Sequence, residues 1–158
     1  MSATASKPQI DTKTNDWFMR VGDGINFNNS KYYIWGVNSH GKNLFANMKQ
    51  GDRLWFIQSK SKGKIVGVAT YISSNKRIPN ITPTNKDLGW RGEDNKWDTE
   101  IHYKDLYTLI DHSDPLLTHI KSCQSIAKYY KNKCDIDLPL LYSYIVQYYN
   151  HINFPSHR

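Results

Sequence analysis

The chain has 158 residues, of which 39% are hydrophobic and 22% charged, a balance that indicates one globular domain and excludes a disordered chain. Its 21 Lys and Arg residues outnumber its 14 Asp and Glu residues and give a net charge of +7, which favours a polyanionic partner such as nucleic acid. No apolar run reaches the roughly 20 residues of a membrane span and no signal peptide opens the sequence, so we predict an intracellular protein, cytoplasmic or nuclear and not secreted, without a membrane partner.

The first part of the chain is predicted to contain a tail and two strands. Residues 1–14 are polar and are predicted to form a disordered tail, and residues 15–158 a single domain. DWFMRV is typical of a strand, GDGINFNNS of a loop and KYYIWGV of a second strand. We expect the second strand to end at Trp35, with Gly36 allowing the backbone to turn.

The middle of the chain is predicted to contain a hairpin and a long loop. One or two helical turns are expected around Leu44, Phe45 and Met48, followed by the strands RLWFIQS and KIVGVATYI joined by the turn KSKG. Gly67 inside the second of these strands predicts a bulge or a close approach by another backbone segment. Residues 73–95 contain two prolines and many asparagines and are predicted to be irregular.

The C-terminal part is predicted to contain one more strand and the main helix. KWDTEIHYKDLYTL indicates a strand opened by Trp97, and DHSDPLL and SIAKYYKNK are predicted to be short helices. LPLLYSYIVQYYNHI is the clearest helix candidate, with a strand as the alternative because of its β-branched and aromatic residues. Five or six short strands with helices between and after them predict an α+β domain or a small mixed barrel.

Motifs for catalysis and for metal or cofactor binding are absent from the sequence. The six histidines form no HExxH or zinc pattern, and neither GxGxxG nor GxxxxGK[ST] occurs. Asp98 and Glu100 alternate along a predicted strand and share a face, but a charged sheet edge gives the same pattern. Cys123 and Cys134 are expected to be a reduced pair with a structural role. We therefore predict a binding protein without catalytic residues, cofactor or metal.

The five tryptophans fall into two groups. Trp17 and Trp55 lie beside Phe in strand-like runs and are predicted to be core residues. Trp35, Trp90 and Trp97 are expected at the ends of elements, beside Gly, Asn, Asp and Arg, as in an aromatic cage for a planar or methylated group. Three separate core or anchor tryptophans are the alternative interpretation.

The ordered succession of DWFMRV, YYIWGV, LFANMKQGDRLWFIQSKSKGKIVGVATYI and NKWDTEIHY resembles the EVE domain family. WRG, which begins at Trp90, is similar to the W-[KR]-G loop of the related YTH domains. The similarity covers residues 16–104 and implies the PUA-like fold, an α+β architecture with a curved β-barrel of five to six strands and flanking helices. It also implies a reader module, since EVE domains are associated with modified cytosine in DNA and YTH domains with N6-methyladenosine in RNA.

In such a reader a flipped, methylated base of DNA or RNA would enter an aromatic pocket. The resemblance places Trp35 at one wall and Trp90 or Trp97 at the other, and it places Asn38 and Ser39 beside the base edge. Asp98 is a further candidate for reading that edge.

Basic residues near this pocket are candidates for binding phosphates. Residues 42–64 contain six basic residues and one acid, and residues 121–133 contain four lysines and no acid. The phosphate-binding candidates are Arg20, Lys31, Lys60, Lys62, Lys64 and Arg91.

Two other functions are compatible with the same motifs. One is a PUA-like RNA-processing nuclease, in which His40, Lys42 or Asp98 would act on single-stranded RNA. The other is an interaction domain whose pocket is closed.

Overall fold

A computed structural model describes residues 14–38, 46–58, 64–108 and 138–155. The elements are β1 (Asp16–Arg20), α1 (Ile25–Asn29), β2 (Ile34–Val37), β3 (Arg53–Gln58), β4 (Lys64–Lys76), α2 (Asn85–Leu88), a 3-10 helix (Asp94–Lys96), β5 (Thr99–Thr108), α3 (Leu138–Tyr148) and β6 (Asn150–Ile152). The predicted α+β class is confirmed, with six strands in the described residues. No helix in these parts of the chain is long and apolar enough to cross a membrane.

The six strands form one mixed sheet, in which five lie in the order β1-β3-β4-β5-β2 and β6 pairs with β5 outside this order. β1 and β3 are parallel, and the other neighbouring strands are antiparallel. β5 pairs with β4 along its length, with β2 over Thr99–His102 and with β6 over Leu106–Thr108. Since the described strands show no pairing of β2 with β1, this sheet is not closed into a barrel.

Alternate residues of β3 point to opposite faces of the sheet, and each face has its own core. Leu54 and Phe56 pack in the larger cluster, which contains most of the buried aromatic residues, whereas Trp55 and Ile57 pack in a second cluster. The second cluster is covered by α3, which contributes Leu138, Leu141 and Ile145. Helical spacing places those three residues on one face of α3 and accounts for the helix predicted in LPLLYSYIVQYYNHI, although the last three residues of that segment, Asn150–Ile152, form β6 instead.

Trp17 and Trp55 are core residues, as predicted. Trp17 is 9% exposed and Trp55 is fully buried, and each indole donates a hydrogen bond to a buried carboxylate. Trp17 Nε1 lies 2.9 Å from Asp52 Oδ2, and Trp55 Nε1 lies 2.8 Å from Asp16 Oδ1. These bonds satisfy the polar atom of each indole inside the core.

Two segments that we predicted to be loops contain regular structure. GDGINFNNS includes α1, which follows Gly24 in a left-handed conformation and buries Phe27. In residues 73–95, β4 continues to Lys76, and α2 begins after a capping box between Thr84 and Asp87. The prediction of one long irregular segment was therefore wrong.

Two predicted strand ends also differ from the structure. β2 does not end at Trp35 but continues to Val37, and Trp97 precedes β5, which begins at Thr99. The predicted KSKG turn, most of the helix predicted around Leu44 and the helices predicted in DHSDPLL and SIAKYYKNK lie outside the described residues.

Gly67 was expected at a bulge or at a close approach by another backbone segment; the bulge is present, and the group that approaches most closely is a side chain. The register between β3 and β4 shifts next to it, since Phe56 pairs with Gly67 and Ile57 with Ile65. A Cβ on Gly67 would lie 2.9 Å from Cζ of Phe27. The missing side chain therefore leaves room for the ring that α1 packs onto the sheet.

Candidate nucleic-acid interface

Trp35, Trp90 and Trp97 lie side by side. The ring centroids of Trp35 and Trp90 are 5.4 Å apart with an angle of 68° between the planes, and those of Trp90 and Trp97 are 5.8 Å apart at 86°. Both contacts are therefore edge-to-face. Trp90 is the central ring, so it is Trp90 and not Trp97 that packs against Trp35.

Trp35 is surrounded by other rings. It is 6% exposed and also meets Phe27 and Phe56 edge-to-face, at centroid distances of 5.9 and 6.4 Å. A base held between two rings needs parallel faces about 7 Å apart, twice the contact distance of ~3.5 Å. Trp35 and Trp90 do not have that arrangement here, and Trp35 packs as a core residue.

Gly36 makes the approach of Trp90 possible. A Cβ at this position would lie 2.9 Å from Cζ3 of Trp90 and 3.1 Å from Cβ of Trp97. We expected Gly36 to permit a turn, but it lies inside β2. Its importance is the lack of a side chain where Trp90 crosses the strand.

Trp90 is fixed by hydrogen bonds from both helices that flank it. Its indole nitrogen donates to Ser30 Oγ at 2.8 Å, and Ser30 Oγ donates to the Asn26 carbonyl at 2.9 Å. Its backbone N–H donates to the Asn85 carbonyl at 2.8 Å. The next residue, Arg91, donates its backbone N–H to Asn26 Oδ1 at 2.9 Å. Because Trp90 is only 5% exposed, it supports the cluster from within.

Trp97 is the outermost ring of the cluster and is half-buried. It lines a cavity of about 280 Å³ together with Asp98 and Arg77. Lys96 Nζ lies 5.2 Å from the centroid of the Trp97 ring, within the range of a cation–π contact. A flat ring, a carboxylate and positive charge thus occur together on this side of the protein.

Arg77 organises the same cavity and was not singled out by the sequence. Its Nη1 donates to the carbonyls of Asp94 and Trp97 at 3.2 and 3.1 Å, and its Nη2 donates to the Pro83 carbonyl at 2.9 Å. Its guanidinium carbon lies 5.7 Å from the centroid of Trp90. Nothing in the sequence around Arg77 indicates these contacts, whereas Lys96 could have been noticed because it precedes Trp97.

The other predicted site residues are only partly brought together. Asn38 is exposed just after β2, and Lys31 and Arg91 are exposed on the segments beside Trp90. Arg20 is exposed on β1, which is farthest in the sheet order from the strand that carries Trp35.

Several predicted residues lie outside the described parts of the chain. They are Ser39, His40, Lys42, Lys60 and Lys62. Lys64 is described only as the first residue of β4.

A second polar cluster lies around Glu100, which we had interpreted as a possible sheet-edge charge. The Glu100 side chain is 2% exposed. Its Oε1 accepts a hydrogen bond from Asn75 Nδ2 at 3.3 Å and lies 3.0 Å from His102 Nε2, which donates to the ionised carboxylate. Its Oε2 has no hydrogen-bond partner in the described parts of the chain, and the Nε atom of Arg77 lies 4.0 Å away.

Glu100 lines a groove of about 520 Å³. Tyr32, Tyr33 and Tyr103 also border this groove, and the buried hydroxyl of Tyr103 has no hydrogen-bond partner. Burial, reinforced by the neighbouring Tyr33, raises the pKa of the Tyr103 phenol well above its usual range, so the hydroxyl keeps its proton. The groove and the Trp97 cavity share Thr82 and Pro83 in their walls.

Comparison with known proteins leaves the family open. No protein-family model matches the sequence, and no curated protein matches it significantly. Among the described residues, no group of three or more His, Cys, Asp or Glu side chains is arranged to hold a metal ion.

Proposed function

We propose that this chain is a nucleic-acid-binding reader of PUA-like architecture that accommodates a flipped, methylated base of DNA or RNA, and that the base stacks on Trp97. The observation that carries this proposal is the position of Trp97, which ends the tryptophan series, remains half-buried and faces a cavity that it shares with Asp98. A half-buried indole in a concave, partly polar site is a suitable stacking surface for a base.

Trp35 and Trp90 serve this site as its rigid support. Separation of their rings would break the bond between Trp90 and Ser30 and would expose Trp35 to solvent. A base therefore meets Trp97 first, and the two inner rings hold Trp97 in place. Stacking on an aromatic ring contributes ~1–3 kcal/mol per base, and flipping costs least for a base that is already single-stranded.

Polar and positive groups around Trp97 are placed to bind different parts of a nucleotide, the base edge and the phosphates. The carboxylate of Asp98 is an acceptor suited to an amino group on the base edge. Lys96, Arg91 and Lys31 are exposed on the segments that carry or flank the tryptophans, and they can reach the phosphates on either side of the base. The net charge of +7 adds a long-range attraction for the strand.

The PUA-like architecture is supported by the curvature of the sheet. Trp35 of β2 meets Phe56 of β3, although β4 and β5 lie between these strands in the sheet order. Side chains of such distant strands approach only if the sheet bends around the larger cluster. The EVE resemblance implies a curved sheet of this kind.

The test is binding of fluorescent single-stranded oligonucleotides with and without 5-methylcytosine or N6-methyladenine, at two salt concentrations. We expect Trp97→Ala to weaken binding of the preferred methylated strand by about 5- to 150-fold, the equivalent of ~1–3 kcal/mol. Tyr148→Ala is the matched control, because Tyr148 is a 64% exposed aromatic residue on α3. Lys96→Ala should weaken methylated and unmethylated strands equally and reduce the salt dependence.

Unchanged binding by Trp97→Ala, or equal binding of all strands by the unaltered protein, would refute the reader proposal. Gel analysis of the same incubations examines the nuclease alternative, since a binding protein leaves the strand intact. Cleavage of single-stranded RNA that persists without metal ions would instead favour the nuclease.

A further inference from the structure

The groove beside Glu100 lies on one face of β5, since alternate residues of this strand point to opposite faces of the sheet. Register places Ile101 opposite Trp35, whereas Glu100 and His102 lie opposite Gly36 and Ile34 and belong to the alternate face. On the other side of β5, Asn75 is the cross-strand neighbour of Glu100. We propose that this groove is a second binding site, distinct from the Trp97 cavity, that takes a nucleobase with an exocyclic amino group, cytosine above all, by accepting the amino N–H on Glu100 Oε2.

Glu100 Oε2 is the feature that points to a ligand. The carboxylate is almost wholly buried, and its other oxygen already accepts two hydrogen bonds. A buried acceptor without a partner is unfavourable and rare in folded proteins. Glu100 lines the groove, but Oε2 itself is covered, so a ligand N–H that displaces the side chains over this oxygen would supply the missing bond.

A neutral donor fits this oxygen better than a cation does. The Arg77 guanidinium already places a positive charge 4.0 Å from Oε2, and its terminal nitrogens are held by three backbone carbonyls. A second ammonium or guanidinium group would lie next to that charge and would be repelled. An amino group on a base donates an N–H without adding charge.

The walls of the groove suit a flat heterocycle. Tyr33 is fixed, because its hydroxyl donates to the Ile152 carbonyl at 2.5 Å and accepts the Phe154 N–H at 3.0 Å. Apolar surface comes from Ile72, Ile81 and Pro83, and the volume of about 520 Å³ lies within the usual range of small-ligand pockets. A rigid tyrosine and apolar side chains above a carboxylate are features of a base-binding pocket.

The donor requirement predicts a preference between two pyrimidines of nearly equal size. Cytosine presents its N4 amino group to an acceptor, and Glu and Asp are the side chains that accept from it. Uracil has a carbonyl oxygen at the same position, so it would place a second acceptor against Oε2.

The experiment measures binding of cytidine monophosphate and uridine monophosphate to the full chain by calorimetry at millimolar ligand concentrations. We expect the cytidine nucleotide to bind about 10-fold more tightly or better. Glu100→Gln should remove or reverse this preference, because the glutamine amide can donate to the uracil carbonyl. Equal binding of both nucleotides by the unaltered protein, or binding of neither, would overturn the proposal.

A pair of loop variants tests the location without disturbing the core. Ile81 is 75% exposed and borders the groove, whereas Ile78 is 46% exposed and borders the Trp97 cavity. Ile81→Trp should obstruct the groove and abolish nucleotide binding, while Ile78→Trp should leave it intact. Retained binding in Ile81→Trp would show that the site lies elsewhere.

The same variants separate this inference from the proposed reader function. Trp97→Ala should reduce oligonucleotide binding and leave the preference for the cytidine nucleotide unchanged. Loss of that preference in Trp97→Ala would contradict a separate site in the groove, whatever the outcome for the oligonucleotides.

Discussion

The two faces of β5 differ in their environment, because one packs against an aromatic core and the other borders an open groove. On one face Ile101 packs beside Trp35 in a core where the indoles of Trp17 and Trp90 have hydrogen-bond partners. On the other face Glu100 and His102 bond to each other beside an open groove, and Glu100 keeps an oxygen without a hydrogen bond. The first face is a packed core in which the Tyr103 hydroxyl has no hydrogen-bond partner among the described residues, whereas the second has a buried carboxylate oxygen that a ligand can satisfy. The tryptophans attract attention in the sequence, yet the incomplete hydrogen bonding lies around a glutamate.

The largest expected effect is the loss of stability when Trp35 is removed. Trp35→Ala should lower the free energy of unfolding by about 3–5 kcal/mol, because the ring is enclosed by Phe27, Phe56 and Trp90. Urea unfolding followed by circular dichroism measures this change. Trp97→Ala is the control and should cost much less, since that ring is half-buried.

A stable Trp35→Ala variant that loses only its preference for a methylated base would reverse this assignment. Trp35 would then line the base pocket itself, and the edge-to-face packing would be a closed form of that pocket. The Trp35 face of β5 would then be a ligand site as well, and it would no longer differ in this respect from the Glu100 face.

Much of the sheet could be predicted from sequence, because its strands are marked by β-branched and aromatic residues. One exception is β6, which lies at the end of a segment predicted to be helical. The other is the second half of β4, Ser73–Lys76, which is polar and mostly exposed but pairs with β5 over Thr99–His102. This segment is a strand because its backbone pairs with β5, and such pairing leaves no alternation of hydrophobic residues in the sequence. Likewise α1 lies in a Gly- and Asn-rich segment, and packing of Phe27 against Trp35 and Phe56 stabilises it.

The candidate site was predictable in its residue types and less so in its geometry. Convergence of the three tryptophans was expected, but their order required the register of β2 on β5 and the absence of a side chain at Gly36. Burial of Glu100 could not be foreseen either. It depends on Arg77 and Asn75, which reach the carboxylate from a different part of the chain.

Arg77 contacts both Trp90 and Glu100, and its removal should have the second-largest effect. Its guanidinium lies over Trp90 on one side and near Glu100 on the other. Arg77→Met should lower the free energy of unfolding by about 2–3 kcal/mol, because the buried carboxylate loses its neighbouring charge and three carbonyls lose their donor. Thermal and urea unfolding measure the change, with Lys76→Met as the control because Lys76 is exposed.

The double variant Arg77→Met/Glu100→Gln sharpens this prediction. If Arg77 stabilises mainly by balancing Glu100, neutralising the carboxylate should restore part of the lost stability. If the two changes are additive, the bonds to the carbonyls account for the effect. Only the first result supports the idea that Arg77 keeps a second cation away from Oε2.

The smallest effect is expected for Tyr103→Phe, which removes a buried hydroxyl that has no hydrogen-bond partner in the unliganded protein. Because no bond is lost, the free energy of unfolding near neutral pH should change by less than about 1 kcal/mol.

At alkaline pH the Tyr103→Phe variant should be more stable than the original protein. The folded state holds the Tyr103 proton at a raised pKa, whereas the unfolded chain releases it from about pH 10 upward. This residue's contribution to stability is therefore fully present below pH 10 and falls by ~1.4 kcal/mol per pH unit above it. Unfolding measured from pH 7 to pH 11 gives both values, with Tyr148→Phe as the exposed control. A Tyr103→Phe variant that loses stability at pH 7 would show that the hydroxyl has a partner.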